Sequence, residues 1–201
     1  MSSERDARLA AEIQSAIENS RGYAGYWEWA VDRKLAEMAV GEALARHLSL
    51  AEGLEIELAR SLDDDPPDVE IVTANGHCLG IEVTELVDQK AAQRGRYIKQ
   101  TGGESTSSAY WDAVRLASEV ELRVRQKDKK LSKCRSRFDE MTLAIATDEP
   151  MITLELVNSA LAAAIQRPQN IDRVFLLLGY HPDHRCAKFP EGIAVVEARL
   201  I

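Results

Sequence analysis

The sequence predicts an α/β protein with a central mixed β-sheet flanked by helices, and three observations predict it. Two runs of alternating apolar and polar residues, Val69 and Ile71 in one, Leu79, Ile81 and Val83 in the other, flank the turn signal Asn75-Gly76. That pattern reads as an antiparallel hairpin. Long segments with apolar residues at helical spacing lie on both sides of it. Further along, a short apolar strand (141–146), an Ala- and Leu-rich helix (153–166) and the run Val174-Phe175-Leu176-Leu177-Leu178 give strand, helix, strand, the pattern of a parallel crossover. Antiparallel and parallel pairings in one sheet make it mixed.

Residues 4–19 read as a helix with Leu9, Ile13, Ala16 and Ile17 on one stripe, broken by Asn19-Ser20-Arg21-Gly22. Tyr23, Tyr26, Trp27 and Trp29 follow, and their spacing with Val31, Leu35 and Met38 favours packing over base stacking. A long helix is expected from about Tyr26 to Ser49, with Gly41 as the point where it could bend. Leu54, Ile56 and Leu58 alternate with Glu55 and Glu57, so 54–62 reads as the first strand, its alternation slipping at Ala59-Arg60. Asp63-Asp64-Asp65-Pro66-Pro67 is a stiff acidic turn into the hairpin. The polar stretch 89–108, with three glycines and a Ser/Thr run, is expected to be a long loop able to close over a substrate. Residues 109–132 form the next helix, and Gly192 to Ile201 a last strand. His181, Asp183, His184 and Cys186 are metal-ligand types, but their spacing reads as a polar turn.

Within the hairpin, side chains alternate with a period of two, so pairing must gather the apolar positions on one face. A two-residue loop would pair Asp68 with Val83 and fails this test. An odd loop such as 75–77 pairs Val69 with Val83 and Ile71 with Ile81, and brings Asp68 opposite Thr84 and Glu70 opposite Glu82. Three carboxylates then share the polar face, where they repel unless a cation or a shared proton is present. Hard divalent cations take such oxygen ligands.

Pro67-Asp68 followed by Ile81-Glu82-Val83-Thr84 resembles the PD-(D/E)xK signature of the restriction-endonuclease-like nucleases. The resemblance implies an αβββαβ core, with residues 1–201 as one nuclease-like domain and 1–33 as a helical N-terminal extension. It implies that Asp68 and Glu82 bind Mg²⁺ or Mn²⁺ and that an outer acid comes from Glu70 or from the preceding helix. That helix carries Glu37 and Glu42, of which Glu42 is the expected one. Thr84 stands where the family has a lysine. The missing positive charge must then come from elsewhere, and the following helix offers Lys127 and Lys130, with Lys130 preferred.

Net charge is −8, which argues against a general nucleic-acid binder, yet the average hides an asymmetry. Residues 123–137 carry +7, leaving −15 on the rest. Arg123, Lys127, Lys129, Lys130, Lys133 and Arg135 in that run are the expected phosphate contacts. A chain that is 45 % hydrophobic can build a sizeable core, and it has no run of 18 apolar residues. Cys78, Cys134 and Cys186, widely spaced and odd in number, fit reduced thiols of a cytoplasmic protein. The functional expectation is a metal-dependent nuclease of DNA or RNA. A nuclease-fold protein kept as a binding or structural module is the alternative, and a small-molecule enzyme using Thr84 or His77 a weaker third.

Overall fold

The computed structural model describes residues 23–27, 32–102 and 109–201. The helix expected at 4–19, most of the extension it belongs to, Trp29 and part of the polar stretch lie outside them. Helix α1 (Arg33–Glu52) starts where the Asp32 side chain accepts from the Leu35 amide. It ends at Gly53, whose left-handed φ of 69° lets its amide bond to the Ser49 carbonyl. Val40, Leu44 and Leu48 form its buried stripe. The helix runs unbroken through Gly41. A Cβ there would lie 2.9 Å from Val69, so glycine serves a close helix–strand approach rather than a bend.

Six strands follow in a sheet whose order equals chain order: β1 (Ile56–Ser61), β2 (Val69–Thr73), β3 (Cys78–Glu85), β4 (Glu140–Thr147), β5 (Arg173–Leu178) and β6 (Val195–Glu197). The β1–β2, β2–β3 and β5–β6 pairs are antiparallel; β3–β4 and β4–β5 are parallel. This is the expected mixed sheet. The irregularity of β1 falls between Ile56 and Leu58 rather than at Ala59.

The hairpin register corrects the expectation by two residues while keeping its parity. Val69 pairs with Ile81 and Ile71 with Leu79. The turn is closed by the Gly76 amide on the Thr73 carbonyl, and Thr73 pairs with His77, so the loop is Ala74-Asn75-Gly76. Gly76 has φ of 82°, the left-handed third position that three-residue hairpin loops favour. Val69, Ile71, Ile81 and Val83 are all buried on one face, as the alternation requires.

Residues 89–102 correct the expected loop: they form helix α2 (Gln89–Thr101), capped by Asp88 and ended by Gly102 in the left-handed region. Helix α3 (Ala113–Leu131) buries Leu116, Val120, Val124 and Leu131. Helix α4 (Leu154–Ala160) stops six residues short of its expected end. Beyond it the chain peels away, and Ile165 bridges Leu200 beside the short strand β6. α1 packs on the Val69 side of the hairpin and α3 on the Glu82 side, which gives helix, sheet, helix. No helix among the described residues is long and apolar enough to cross a membrane.

Candidate metal centre

Asp65 is the last of the three acids in the turn, Asp68 stands just before β2, and Glu82 lies in the middle of β3. The register carried back one step from Val69 and Ile81 sets Asp68 beside Glu82. One carboxylate oxygen from each of Asp65, Asp68 and Glu82 lies within 4.8 Å of the others. Asp68 is 5 % exposed and Glu82 fully buried, so the face expected to be merely polar is closed over.

What covers Glu82 is α3. Val120, Val124 and Leu131 form an apolar stripe, and Lys127 occupies the position between the last two. Its Nζ lies 2.5 Å from Glu82 Oε1 and 3.4 Å from the Val83 carbonyl. One turn on, Lys130 Nζ bridges Asp65 Oδ1 at 2.5 Å and the same Glu82 Oε1 at 2.9 Å. Glu82 Oε2 is buried and has no hydrogen-bond partner. A buried carboxylate oxygen left bare is costly, and native structures rarely tolerate it without a reason.

A hard divalent cation fits these residues. The three carboxylates converge, Glu82 also has a bare buried oxygen, and all are the donor type such ions take. Asp68 accepts from the Val83 amide at 2.7 Å, but burial and the neighbouring Glu82 push its carboxyl up to about 7. Glu37 adds to that rise. In metal-free buffer the folded state therefore holds a proton that the unfolded chain releases near the ordinary aspartate value of 3.8. This stabilisation is complete below that value and fades as pH climbs through about 7. Asp68→Asn should flatten the fall in stability between pH 4 and 7, read by denaturant melts with chelator present. A variant that keeps the parent's pH slope would remove Asp68 as its source.

The other expected residues are distributed as follows. Glu70 pairs with Gly80, accepts from Arg60 and from the Cys78 thiol, and stands outside the acidic cluster. Glu42 is half-exposed, 3.8 Å from Arg46, and lines a separate cavity. The acid that α1 brings toward Asp68 is instead Glu37, buried and held by Arg33 Nε at 2.6 Å. Thr84 lines a small polar cavity with Arg33, Glu85 and Gln89. His77 stands at the other end of β3, near Asp139 and Glu140, so it shares no site with Thr84.

The basic run does not form one open face. Arg123 is tied to Glu119 and the Glu85 carbonyl, and Arg135 to Asp172 and the Phe138 carbonyl. Lys127 and Lys130 turn inward, while Lys129 and Lys133 are exposed. His181 caps a single 3₁₀ turn by accepting from the Asp183 amide, in keeping with a polar turn.

Sequence reasoning passes over Asp65 as an exposed turn residue, which its 57 % exposed side chain still resembles. The signals for the other two are helical phase. Glu37 lies one turn before the buried Val40 and Gly41, whereas Glu42 is off the stripe. Lys127 fills the gap four residues before Leu131.

No family model matches the chain, and no curated protein matches it. Among solved structures it is similar to SfsA of Pyrococcus furiosus in complex with Ca²⁺, at 15 % identity and a TM-score of 0.28. The match covers 84 % of this chain, which spans 63 % of that one. A likeness at that level carries neither fold nor function, so any functional reading must rest on this chain's own residues.

Proposed function

We propose that this protein is a divalent-metal-dependent phosphodiester hydrolase acting on nucleic acid. One observation carries the reading: Asp65, Asp68 and Glu82 converge within 4.8 Å, with two lysines delivered to Glu82 from the following helix. Asp65, Asp68 and Glu82 would hold Mg²⁺ or Mn²⁺. When bound, the ion supplies a Lewis acid for a phosphoryl oxygen and a more acidic water. Lys127 fixes the Glu82 carboxylate and offers the positive charge that the lysine of the resembled motif would bring. Thr84, with a hydroxyl that both donates and accepts, lines a small polar cavity with Arg33 and would orient water or a phosphate oxygen there. Lys129 in the last turn of α3 and Lys133 just beyond it, both exposed, hold the substrate backbone and carry no sequence information.

Cleavage of single- and double-stranded DNA and RNA with Mg²⁺ or Mn²⁺ tests the chemistry. Binding in chelator tests the surface. Lys129→Glu with Lys133→Glu should lower the slope of log K against log[salt] by about 0.7 to 0.9 for each phosphate that is no longer neutralised. An unchanged slope, or no binding by the parent, removes the nucleic-acid part of the reading.

A second reading has its own observation. With Thr84 in the lysine position, Lys127 and Lys130 already offset the charge of Glu82. A nuclease-fold binding module without chemistry would need nothing more. No cleavage of any of these substrates by the parent protein selects it.

A further inference from the structure

The two lysines on Glu82 are not equivalent, and the difference gives them separate roles. Lys127 Nζ has a second seat on the Val83 carbonyl, inside the sheet, and its side chain is 16 % exposed. Lys130 Nζ spans Asp65 and Glu82, two of the three converging carboxylates, and its side chain is twice as open, at 32 %. Its second partner, Asp65, is itself more than half exposed. The Lys130 ammonium therefore sits among the oxygens a divalent ion would use, at the solvent end of the cluster, on a long flexible stem.

We propose that Lys130 is a displaceable placeholder cation: it occupies the metal-free centre, must swing out toward solvent for a divalent ion to enter, and thereby sets the affinity of the site. Lys127 stays in place. This inference rests on the metal-centre reading and goes beyond it, because the lysine competes with the metal rather than only assisting it. The bare Glu82 Oε2 is consistent with this arrangement. Both ammonium groups crowd Oε1, and neither reaches the other oxygen. No covalent step is involved. The exchange trades one ammonium for one divalent ion against the same carboxylates, so the site gains one positive charge on loading.

The test is Mn²⁺ binding by calorimetry on chelator-stripped full-length protein, with no substrate present. Lys130→Met removes the competitor and keeps the stem. It should bind Mn²⁺ about tenfold or more tightly than the parent, the scale of one charged hydrogen bond no longer broken. Lys130→Arg keeps the charge and should stay near the parent affinity. Without metal, Lys130→Met should melt lower than the parent, and saturating Mn²⁺ should raise its midpoint by more. This second measurement stands even if the parent binds too weakly for calorimetry. Equal or weaker Mn²⁺ binding by Lys130→Met overturns the placeholder role while leaving the metal centre standing. No Mn²⁺ binding by parent or either variant overturns both.

Discussion

Glu82→Gln is expected to abolish metal-dependent cleavage and to destabilise the fold by about 3 kcal/mol, the lower end of the range for breaking a buried ion pair. The side chain is fully buried and carries two ammonium groups on one oxygen. Glutamine keeps the shape and the acceptor but removes the countercharge, which leaves Lys127 confined beneath α3. The lower end applies because both lysines remain partly open to solvent. Loss of activity alone would not separate a metal ligand from a structural ion pair, so a compensated variant is needed. Glu82→Met with Lys127→Met and Lys130→Met replaces the whole charged group by apolar volume and should recover most of the stability, while cleavage stays absent. Chemical denaturation and a cleavage assay on the same preparations decide it. Wild-type turnover in Glu82→Gln would remove Glu82 from the chemistry altogether.

The second large effect belongs to Lys127. Lys127→Met should lower the turnover number by about 10²-fold, the usual cost of removing one preorganised electrostatic donor. Its effect on KM should be small, because the Lys127 side chain lies between α3 and the interior strand β3 and not at the exposed end of α3 where the substrate backbone is expected. Sequence reasoning favours Lys130 for this part. The closer and less exposed seat on Glu82 is that of Lys127. Steady-state kinetics of the two methionine variants, each at saturating Mn²⁺, separate the roles. Equal turnover for parent and Lys127→Met would reject Lys127 as the source of the missing charge.

Much of this arrangement is legible before any coordinates, because it follows from periodicity. The alternation in 69–71 and 79–83 makes one face of the hairpin apolar, and burial of Val69, Ile71, Ile81 and Val83 follows. Parity, however, does not fix register. The two-residue shift comes from Gly76, whose left-handed backbone selects the 74–76 loop, and the shift moves Glu82 from Glu70 to Asp68. Helix α2 is hidden because only Ala91 and Ala92 are buried in it; its signals are the caps, Asp88 and Gly102. The choice of Glu42 over Glu37 and of Lys130 over Lys127 weighs residue type without helical phase. In α1 the residue in phase with the buried stripe, Glu37, is the acid whose charge Asp68 feels, and in α3 the in-phase Lys127 takes the closer and less exposed seat on Glu82, while Lys130 also reaches it. Asp65 has no such signal, since its role depends on how the turn folds back.

Because sheet order equals chain order, the strands that hold the acids can pair before the helix that neutralises them exists. Lys127 lies 45 residues after Glu82. At roughly 5–20 residues per second, a ribosome takes several seconds to cover that interval. During it a nascent hairpin would set Asp68 and Glu82 side by side without the lysines of α3. The order of synthesis thus makes β2–β3 an element whose charge is balanced late.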